Sequence, residues 1–385
     1  MRERRRVMVV FGTRPDALKM APVVRSLEQH STELIPIVVV TAQHREMLDQ
    51  VLRLFTIEPA HDLNVMASGQ SLADITIRTL RRLHEVIERT APSIVVVQGD
   101  AAPSYVGALA AFYRQIPVAH VEAGLRTNDK YHPFPEEMYR RMTSALADLH
   151  FAPTAAACAN LEREGVPRDR ITVTGNTVID ALLDVAGRDD LAVDPAIREI
   201  LTRPARFVLL TTHRRESWGE PQRRVFRAVR ELLDRFADLE VVFPVHLNPI
   251  VADPARAILG GHPRAHLVPP LDYASIVRSM QAATLILTDS GGIQEEAPAL
   301  GRPVLVLRET TERPEGIEAG TARLVGTDPA AILDAASQLL TDREAYTRMA
   351  QARNPYGDGH AAERIVAVLR RYLGFAANLP AEFIV

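Results

Sequence analysis

The chain is very poor in cysteine and has no long apolar run, two features that define disulfide-rich and zinc-binding proteins and membrane proteins. Cys158 is the only cysteine among 385 residues, which excludes an intramolecular disulfide and a zinc site built from several cysteines. No apolar run approaches the roughly 20 residues that a helix needs to cross a bilayer. The net charge is only −3, from 45 basic and 48 acidic residues, so no overall field favours nucleic acid. We therefore expect a cytoplasmic protein with neither a membrane nor a nucleic-acid partner.

What the chain does contain is the composition of an ordinary globular protein. Hydrophobic residues make up 47% and charged residues 24% of the sequence, a balance that excludes general disorder. A length of 385 residues predicts two sizeable domains. The basic N-terminal cluster at residues 2–6 precedes an apolar run too short for a signal peptide, so it predicts a solvated lead-in to a first strand.

Short β-rich runs alternate with helical stretches, and this rhythm restarts after Ile171–Thr174. The predicted strands are Val7–Phe11, Leu34–Thr41, Ile94–Gln98, Val118–Val121, Leu149–Ala152, Ile171–Thr174, Phe207–Thr211, Glu240–Phe243, Ala265–Val268, Leu285–Thr288 and Pro303–Val306. The predicted helices include Asp16–His30, Leu72–Thr90, Ser104–Tyr113, Glu136–Ala147, Arg223–Arg235, Tyr273–Ala282 and Ile293–Ala299. Such alternation is typical of parallel sheets with helices on both faces. The sequence thus predicts an α/β protein with two doubly wound, Rossmann-like domains and a boundary between Thr174 and Arg206.

Doubly wound sheets bind ligands at the carboxyl ends of their strands, beside helix N-termini. In a chain with two such domains, the cleft between them is the expected place for a substrate of nucleotide size. The residues that follow each predicted strand are therefore the candidates for a functional site.

The first predicted strand leads into the segment 12–16, with Lys19 one turn into the following helix. A helix N-terminus with Arg14 and Lys19 nearby is suited to binding an anion. A purely structural alternative, in which Arg14 pairs with Asp16 at the surface, stays open on this evidence.

Carboxylates follow the next strands of the first half. Asp100 comes after Ile94–Gln98, and Glu122 comes after Val118–His120. Partial burial at the strand ends would raise the pKa of both groups and suit them to acid–base catalysis. Glu136 and Glu137 follow a proline-rich turn and open a helix; for Glu137 we favour the structural role of an acid that complements the helix dipole.

The second half places basic groups and glycines at its strand ends. His213 and two arginines follow Phe207–Thr212, where they can balance phosphate charge or transfer a proton. For His246, after the next strand, a structural role is the preferred interpretation. The segment 288–296 ends a strand in Ser-Gly-Gly and opens a helix, a pattern that favours a diphosphate. Glu296, one turn further on, could accept hydrogen bonds from ribose hydroxyls.

Several common signatures are missing. No G-x-G-x-x-G follows the first strand, and the chain has no Walker A loop, H-E-x-x-H or G-x-S-x-G motif. We therefore expect no nicotinamide cofactor and no metal.

The residues together resemble the bacterial non-hydrolysing UDP-N-acetylglucosamine 2-epimerases over nearly the whole chain. The matching segments are FGTRPDALKMAP (11–22), TAQHREMLDQVL (41–52), HVEAGLRT (120–127), PFPEEM (133–138), VTGNTVIDAL (173–182), HRRES (213–217), PVHLNP (244–249), LTDSGGIQEEAPALGRPVLVLRETTERPEG (287–316) and NPYGDG (354–359). The resemblance implies a GT-B-like fold with its active site in the cleft between the domains. It also implies interconversion of UDP-GlcNAc and UDP-ManNAc, by elimination of UDP to 2-acetamidoglucal and re-addition.

The resemblance also assigns roles to individual positions. It implies that Asp100, Glu122 and Glu136 transfer protons and that His213 assists at the diphosphate or in proton transfer. The implied substrate contacts are Arg14, Lys19, Leu271, Ile276, Ser290, Gly291, Gly292, Glu296 and Arg313. Gln43 and His44 match a region that binds an activating UDP-GlcNAc in some members. The family further suggests a homodimer, with domains at 1–175 plus a C-terminal helix at about 360–385, and at 176–359.

Two departures from the family pattern flank the proposed acids. Ala101 stands where Thr commonly follows Gly-Asp, and Tyr139 stands where Asn usually follows Glu-Glu-x. Both raise the question of whether the substrate differs. The alternatives are a hydrolysing relative that releases ManNAc and UDP, a GT-B glycosyltransferase, and a UDP-sugar-binding protein without catalysis.

Overall fold

The computed structural model describes residues 3–41, 45–66 and 69–384. The chain divides into two compact units, one formed by Met1–Ala181 with Gly357–Ile384 and the other by Leu182–Tyr356. The chain thus passes from the first unit to the second after Ala181 and returns after Tyr356.

The first unit contains a seven-stranded parallel sheet. Its strands are β1 (Arg5–Phe11), β2 (Leu34–Val40), β3 (His61–Asp62), β4 (Ile94–Gln98), β5 (Val118–Val121), β6 (Leu149–Ala152) and β7 (Ile171–Val173), and its helices are α1 (Arg14–Gln29), α2 (Arg45–Leu54), α3 (Leu72–Thr90), α4 (Ala102–Phe112), α5 (Glu136–Leu146), α6 (Ala155–Arg163) and α7 (Thr177–Ala186), the last of which continues into the second unit. All five residues of β4 are buried, as are all four of β5, because helices cover both faces of such a sheet.

The strand order of this sheet is β3-β2-β1-β4-β5-β6-β7. The order reverses between β1 and β4, and ligands of doubly wound sheets bind outside the carboxyl ends of the strands at this switch point. The segments that follow β1, β4 and β5 therefore occupy the functional edge of the first unit.

The second unit repeats this plan with six parallel strands in the order β10-β9-β8-β11-β12-β13. Its strands are β8 (Arg206–Thr211), β9 (Leu239–Pro244), β10 (Ala265–Val268), β11 (Leu285–Thr288), β12 (Val304–Val306) and β13 (Ala322–Leu324), and its helices are α8 (Pro195–Leu201), α9 (Glu220–Arg235), α10 (Pro249–Leu259), α11 (Tyr273–Ala282), α12 (Gly291–Glu296), α13 (Pro314–Glu318), α14 (Pro329–Thr341) and α15 (Arg343–Ala350). The switch point lies between β8 and β11, so the segments after these two strands form its functional edge.

The C-terminal helix α16 (Ala361–Tyr372) belongs to the first unit. The carboxylate of Asp180 accepts hydrogen bonds from the N–H groups of Ala361 and Ala362, at 3.2 and 2.8 Å. Near the other end of α16, Arg370 donates from Nε to Glu33 at 2.6 Å. The helix is thereby fastened to the first unit at both ends.

The two-domain α/β fold expected from the sequence is confirmed by the two parallel sheets. Two short strands, β3 and β13, were not predicted. The helix α8 lies between Thr174 and Arg206, where the sequence predicts the domain boundary. No helix within the described ranges is long and apolar enough to span a bilayer.

Candidate functional site

Glu122 emerges from the end of β5 and is surrounded by donors. Its carboxylate receives hydrogen bonds from Lys19 Nζ at 2.5 and 2.7 Å and from Asn176 Nδ2 at 3.1 Å. Gln98, at the end of β4, donates a further hydrogen bond from its side-chain amide. Although Glu122 is only 8% exposed, an ammonium group and two amides compensate the charge of its carboxylate.

The backbone around Glu122 is held in an uncommon conformation. Glu122 has a φ of 60°, and Gly99 opposite has a φ of 64°; a side chain in the left-handed region costs about 1–3 kcal/mol and is enriched at functional sites. A Cβ on Gly99 would lie 3.3 Å from Glu122 Oε2. Burial lowers the pKa of His120 to about 3, so its neutral ring can donate from Nε2 to the Gly99 carbonyl at 2.8 Å. This contact supports the turn that leads to Asp100.

Asp100 follows Gly99 and is bound by a cation from α5. Arg140 donates from Nη2 to Asp100 Oδ2, and the Asp100 side chain keeps 31% of its surface exposed. The sequence-based expectation for Asp100 and Glu122 considered only their burial. In the structure each carboxylate is also paired with a basic side chain.

The two adjacent glutamates at the start of α5 have different surroundings. Glu137 is fully buried and accepts from the N–H groups of Thr127 and Asn128, at 3.1 and 3.2 Å, so it holds the loop before α5. Glu136 is half-buried, and its carboxylate accepts no hydrogen bond from the part of the chain that the structure describes. Glu136 is therefore the carboxylate of this pair that can exchange a proton with a ligand.

Asp16 is a buried acid, although the sequence suggested a surface position for it. It is 7% exposed, accepts from Thr13 N at 3.1 Å and completes a capping box at the start of α1. The alternative of a surface pair with Arg14 is therefore wrong, and Arg14 lies half-buried at the first position of the helix. Burial, with a smaller contribution from the charge of Asp100, raises the pKa of Asp16 to about 6, against the opposing effects of the Thr13 hydrogen bonds and the charge of Lys19. Asp16 thus belongs to the same electrostatic cluster as Asp100 and Lys19.

We expect Asp16→Asn to gain stability relative to the wild type as the pH rises. The folded pKa of about 6 exceeds the ordinary value of 3.8, so native Asp16 keeps a proton that the unfolded chain releases. The stability of the wild type therefore falls as the pH rises between these two values. The side-chain oxygen of asparagine can still accept from the Thr13 N–H, but asparagine does not titrate. The variant should therefore gain about 2 kcal/mol between pH 4 and pH 7, measured by urea unfolding across this range.

Asp74→Asn is the matched control, because Asp74 occupies the same capping-box position in α3 but is exposed. Hydrogen bonds from Ser71 lower the pKa of Asp74, so its ionised form stabilises the fold and the trend should have the opposite sign. A difference between Asp16→Asn and wild type that stays constant with pH would contradict the prediction.

The two departures from the family pattern lie beside α4 and within α5. Tyr139 is 9% exposed and stacks on Tyr105, with ring centroids 5.5 Å apart and planes inclined by 11°. It belongs to an apolar cluster with Ile75 and Ala102. Ala101 precedes α4 without a side-chain cap. Tyr139 therefore replaces a polar group by apolar packing, whereas Ala101 leaves the start of α4 without a side-chain cap.

In the second unit, Asp289 organises the segment that follows β8. This fully buried carboxylate accepts from the N–H groups of His213 and Arg214, both at 2.9 Å, and from Thr212 Oγ1 at 3.0 Å. His213 Nδ1 lies 3.4 Å from Asp289 Oδ1, while the imidazole is 45% exposed. Asp289 received no role from the sequence, although its position directly after the buried strand β11 was the available signal.

Two arginines flank the glycine pair that opens α12. A Cβ on Gly291 would lie 3.6 Å from Arg214 Nη2 and 3.8 Å from Arg313 Nη2. Ser290, the residue before the helix, makes no side-chain capping hydrogen bond, and Gly292 is exposed. This group, called the arginine cradle below (Arg214, Ser290–Gly292 and Arg313), presents two guanidinium groups and helix N–H groups to an anion.

The remaining predicted contacts lie beside α11 and α12. Tyr273, at the start of α11, donates its hydroxyl to Glu296 Oε1 at 3.5 Å. Leu271 is buried just before α11, and Ile276 is half-buried within it. His246 is exposed and accepts from Asn248 N at 3.1 Å. The possible activator residues Gln43 and His44 lie outside the described residues.

Comparison with known proteins yields one consistent family. The profile of the family described as UDP-N-acetylglucosamine 2-epimerase matches residues 25–370. The UDP-N-acetylglucosamine 2-epimerase of Bacillus subtilis is 52% identical over 378 residues, which cover 98% of both chains.

Two solved structures extend this similarity to the fold. A crystal structure from Listeria monocytogenes superposes with a TM-score of 0.94 at 49% identity and covers all of both chains. The UDP-GlcNAc 2-epimerase from Neisseria meningitidis, solved bound to UDP-GlcNAc, has a TM-score of 0.85 at 45% identity and covers 95% of this chain and 100% of its own.

Proposed function

The chain belongs to the UDP-N-acetylglucosamine 2-epimerase family and is an isomerase of this type, and we propose that it interconverts UDP-GlcNAc and UDP-ManNAc by elimination and re-addition of UDP. The observation that carries the proposal is the division of chemistry between the two switch points. The first unit gathers carboxylates after β4 and β5, and the second gathers cations after β8 and β11.

Elimination is the proposed path because the C2 proton of the sugar is not adjacent to a carbonyl group. A base removes this proton while the bond between C1 and the diphosphate oxygen breaks, and UDP leaves with the electron pair. The product of this step is 2-acetamidoglucal. UDP then adds back to C1 while an acid protonates C2 on the opposite face, which completes the inversion.

The carboxylates of the first unit are proposed to carry the proton transfers. Asp100 and Glu136 are the groups with exposed surface and can exchange protons with C2. Lys19 and Asn176 donate hydrogen bonds to Glu122, so the position of its carboxylate is fixed. Positioned acids and bases of this kind typically contribute about 10²- to 10⁴-fold to a rate.

The second unit is proposed to bind the nucleotide. The arginine cradle is suited to the diphosphate, which carries growing charge as it leaves C1. The contact of His213 Nδ1 with Asp289 Oδ1 favours a proton on Nδ1, which leaves Nε2 to interact with the diphosphate or to take part in proton transfer. Glu296 is proposed to accept from ribose hydroxyls, and Leu271 with Ile276 to contact the uracil.

The departures at Ala101 and Tyr139 are proposed to leave the substrate class unchanged. Tyr139 is turned to the apolar cluster of α4 and α5, with its ring stacked on Tyr105. The proposed acids are retained: Asp100 directly precedes Ala101, and Glu136 lies three residues before Tyr139.

Incubation with UDP-GlcNAc in D₂O tests the proposal. We expect UDP-ManNAc with deuterium at C2, together with deuterium in the recovered UDP-GlcNAc, because a solvent-exchanged proton returns to C2. Release of free ManNAc and UDP would instead identify a hydrolysing relative. Tight binding without exchange at C2 would identify a binding protein and would overturn the epimerase assignment.

A homodimer, a cytoplasmic location and activation by a second UDP-GlcNAc stay predictions. Light scattering after size-exclusion chromatography measures the first. A sigmoidal dependence of rate on UDP-GlcNAc concentration, lost in a Gln43→Ala variant, would indicate the third.

A further inference from the structure

Arg313, one of the two guanidinium groups of the arginine cradle, is held by its neighbours at several points. Its Nε donates to the carboxylate of Glu295, which is 4% exposed. Its backbone carbonyl accepts from the hydroxyl of Tyr356 at 3.0 Å. Its backbone N–H donates to Thr311 Oγ1 at 3.1 Å. The main chain and the side chain of Arg313 are therefore restrained separately.

Tyr356 is built into this arrangement through both roles of its hydroxyl. The side chain is 3% exposed, and the hydroxyl accepts from Gly316 N at 2.8 Å while it donates to the Arg313 carbonyl. Burial raises the pKa of Tyr356 above its ordinary value, so the phenol stays protonated and able to donate. A Cβ on Gly316 would lie 3.0 Å from the hydroxyl, so a larger residue there would crowd the hydroxyl.

The segment that carries Tyr356 also holds the partner of Arg313. Asn354 donates from Nδ2 to the Glu295 carbonyl at 3.0 Å and accepts from Tyr356 N at 3.1 Å. One turn of chain thus fixes the backbone of both members of the Arg313–Glu295 pair. Tyr356 is also the last residue of the second unit before the chain returns to the first.

A second route connects Arg313 to the glycine pair. Thr311 Oγ1 donates to Gln294 Oε1 at 2.7 Å, and Gln294 Nε2 donates to the Ser290 carbonyl at 3.2 Å. The backbone ahead of α12 and the backbone of Arg313 therefore share one hydrogen-bonded network.

We propose that Tyr356 is a positioning residue, which acts through the Arg313 backbone to place the guanidinium for the diphosphate of a uridine nucleotide. An arginine side chain loses considerable rotamer entropy on binding, and the pair with Glu295 reduces this cost in advance. The hydrogen bond from Tyr356 fixes the backbone position from which that side chain extends. The inference rests on the proposed function, since it assigns the diphosphate to the arginine cradle.

Tyr356→Phe tests the inference because it removes one oxygen atom. We expect the Kd for UDP, measured by calorimetry on the full chain, to rise about 3- to 10-fold, the effect of losing one net hydrogen bond. KM for UDP-GlcNAc should rise in parallel while kcat stays within about twofold. The decisive measurement is a double-mutant cycle with Arg313→Ala, in which Tyr356→Phe should cause no further loss of UDP affinity.

Two further variants separate positioning from general destabilisation. Tyr346→Phe, a partly exposed tyrosine in α15, is the matched control and should leave UDP affinity unchanged. Gly316→Ala would crowd the Tyr356 hydroxyl, which would lie 3.0 Å from the added Cβ, and should weaken UDP binding more in the wild type than in Tyr356→Phe.

The possible outcomes distinguish this inference from the proposed function. A lower melting temperature with unchanged UDP affinity would show that Tyr356 is merely structural. An equal loss of affinity in the Arg313→Ala background would show that Tyr356 acts by another route; either result overturns the inference while leaving the epimerase assignment intact. Failure of the wild type to bind UDP would overturn the proposed function itself.

Discussion

Replacing Asp100 by asparagine is expected to lower kcat for UDP-ManNAc formation by about 10²- to 10⁴-fold. An amide retains the size of the carboxylate and can still accept from Arg140, which contacts Asp100 in the native structure, but it cannot take or return the C2 proton. KM should change little, because the substitution leaves the side chains proposed to contact the diphosphate, the ribose and the uracil unaltered. Initial rates and deuterium at C2, followed by NMR in D₂O, measure both effects.

Asp253→Asn is the control for this substitution, since the Asp253 side chain is 73% exposed on α10. It should leave kcat and C2 exchange unchanged. If Asp100→Asn retained more than about a tenth of the wild-type kcat, a proton-transfer role worth 10²-fold or more would be untenable. A parallel loss of UDP affinity would instead indicate that Asp100 supports the fold of the site.

Replacing Arg214 by glutamine is expected to raise the Kd for UDP by about 10- to 150-fold, the equivalent of about 1.5–3 kcal/mol for hydrogen bonds to a charged group. The Arg214 guanidinium lies beside Gly291, and a neutral amide cannot reproduce its paired donors or its charge. The Arg214 backbone N–H would still donate to Asp289, as in the native chain. Calorimetric titration with UDP gives the affinity of variant and wild type.

Uridine provides the internal comparison, because it carries no diphosphate and should bind wild type and Arg214→Gln equally. Arg215→Gln is the matched control, since Arg215 is the next residue and is exposed; its affinity for UDP should match that of the wild type. Equal weakening of uridine and UDP in Arg214→Gln would place Arg214 away from the diphosphate.

The main strands were predictable because their apolar runs are long enough to be recognised. β4 and β5 were predicted with the bounds that the structure shows, and every residue in both is buried. The missed strand β3 consists of His61–Asp62, which pairs with Val39–Val40 at the edge of the sheet. Two polar residues form no hydrophobic pattern, so only the pairing with a neighbouring strand defines them. The three residues of β13 are similarly too few to form a pattern.

The candidate site was only partly predictable. The positions of Asp100, Glu122 and Gly291 after buried strands follow from the alternation of strands and helices together with the rule for switch points. The contact between Lys19 and Glu122 joins residues 103 positions apart, and no local pattern contains such a pair. The roles of Asp289 and Tyr356 likewise depend on partners that are distant in sequence.

The amino-acid sequence alone was sufficient to predict the two-domain α/β class and the sheet edges that carry the candidate residues, because both depend on local periodicity. It was also sufficient for the family, because the family motifs occur in order along the chain. The tertiary structure decided which charges meet: Lys19 with Glu122, Arg140 with Asp100, and Asp289 with the backbone of His213. It also showed that Tyr139 packs against Tyr105. The physical reason is that the energy of a charge depends on its distance to other charges and on its burial, and both are properties of the folded chain.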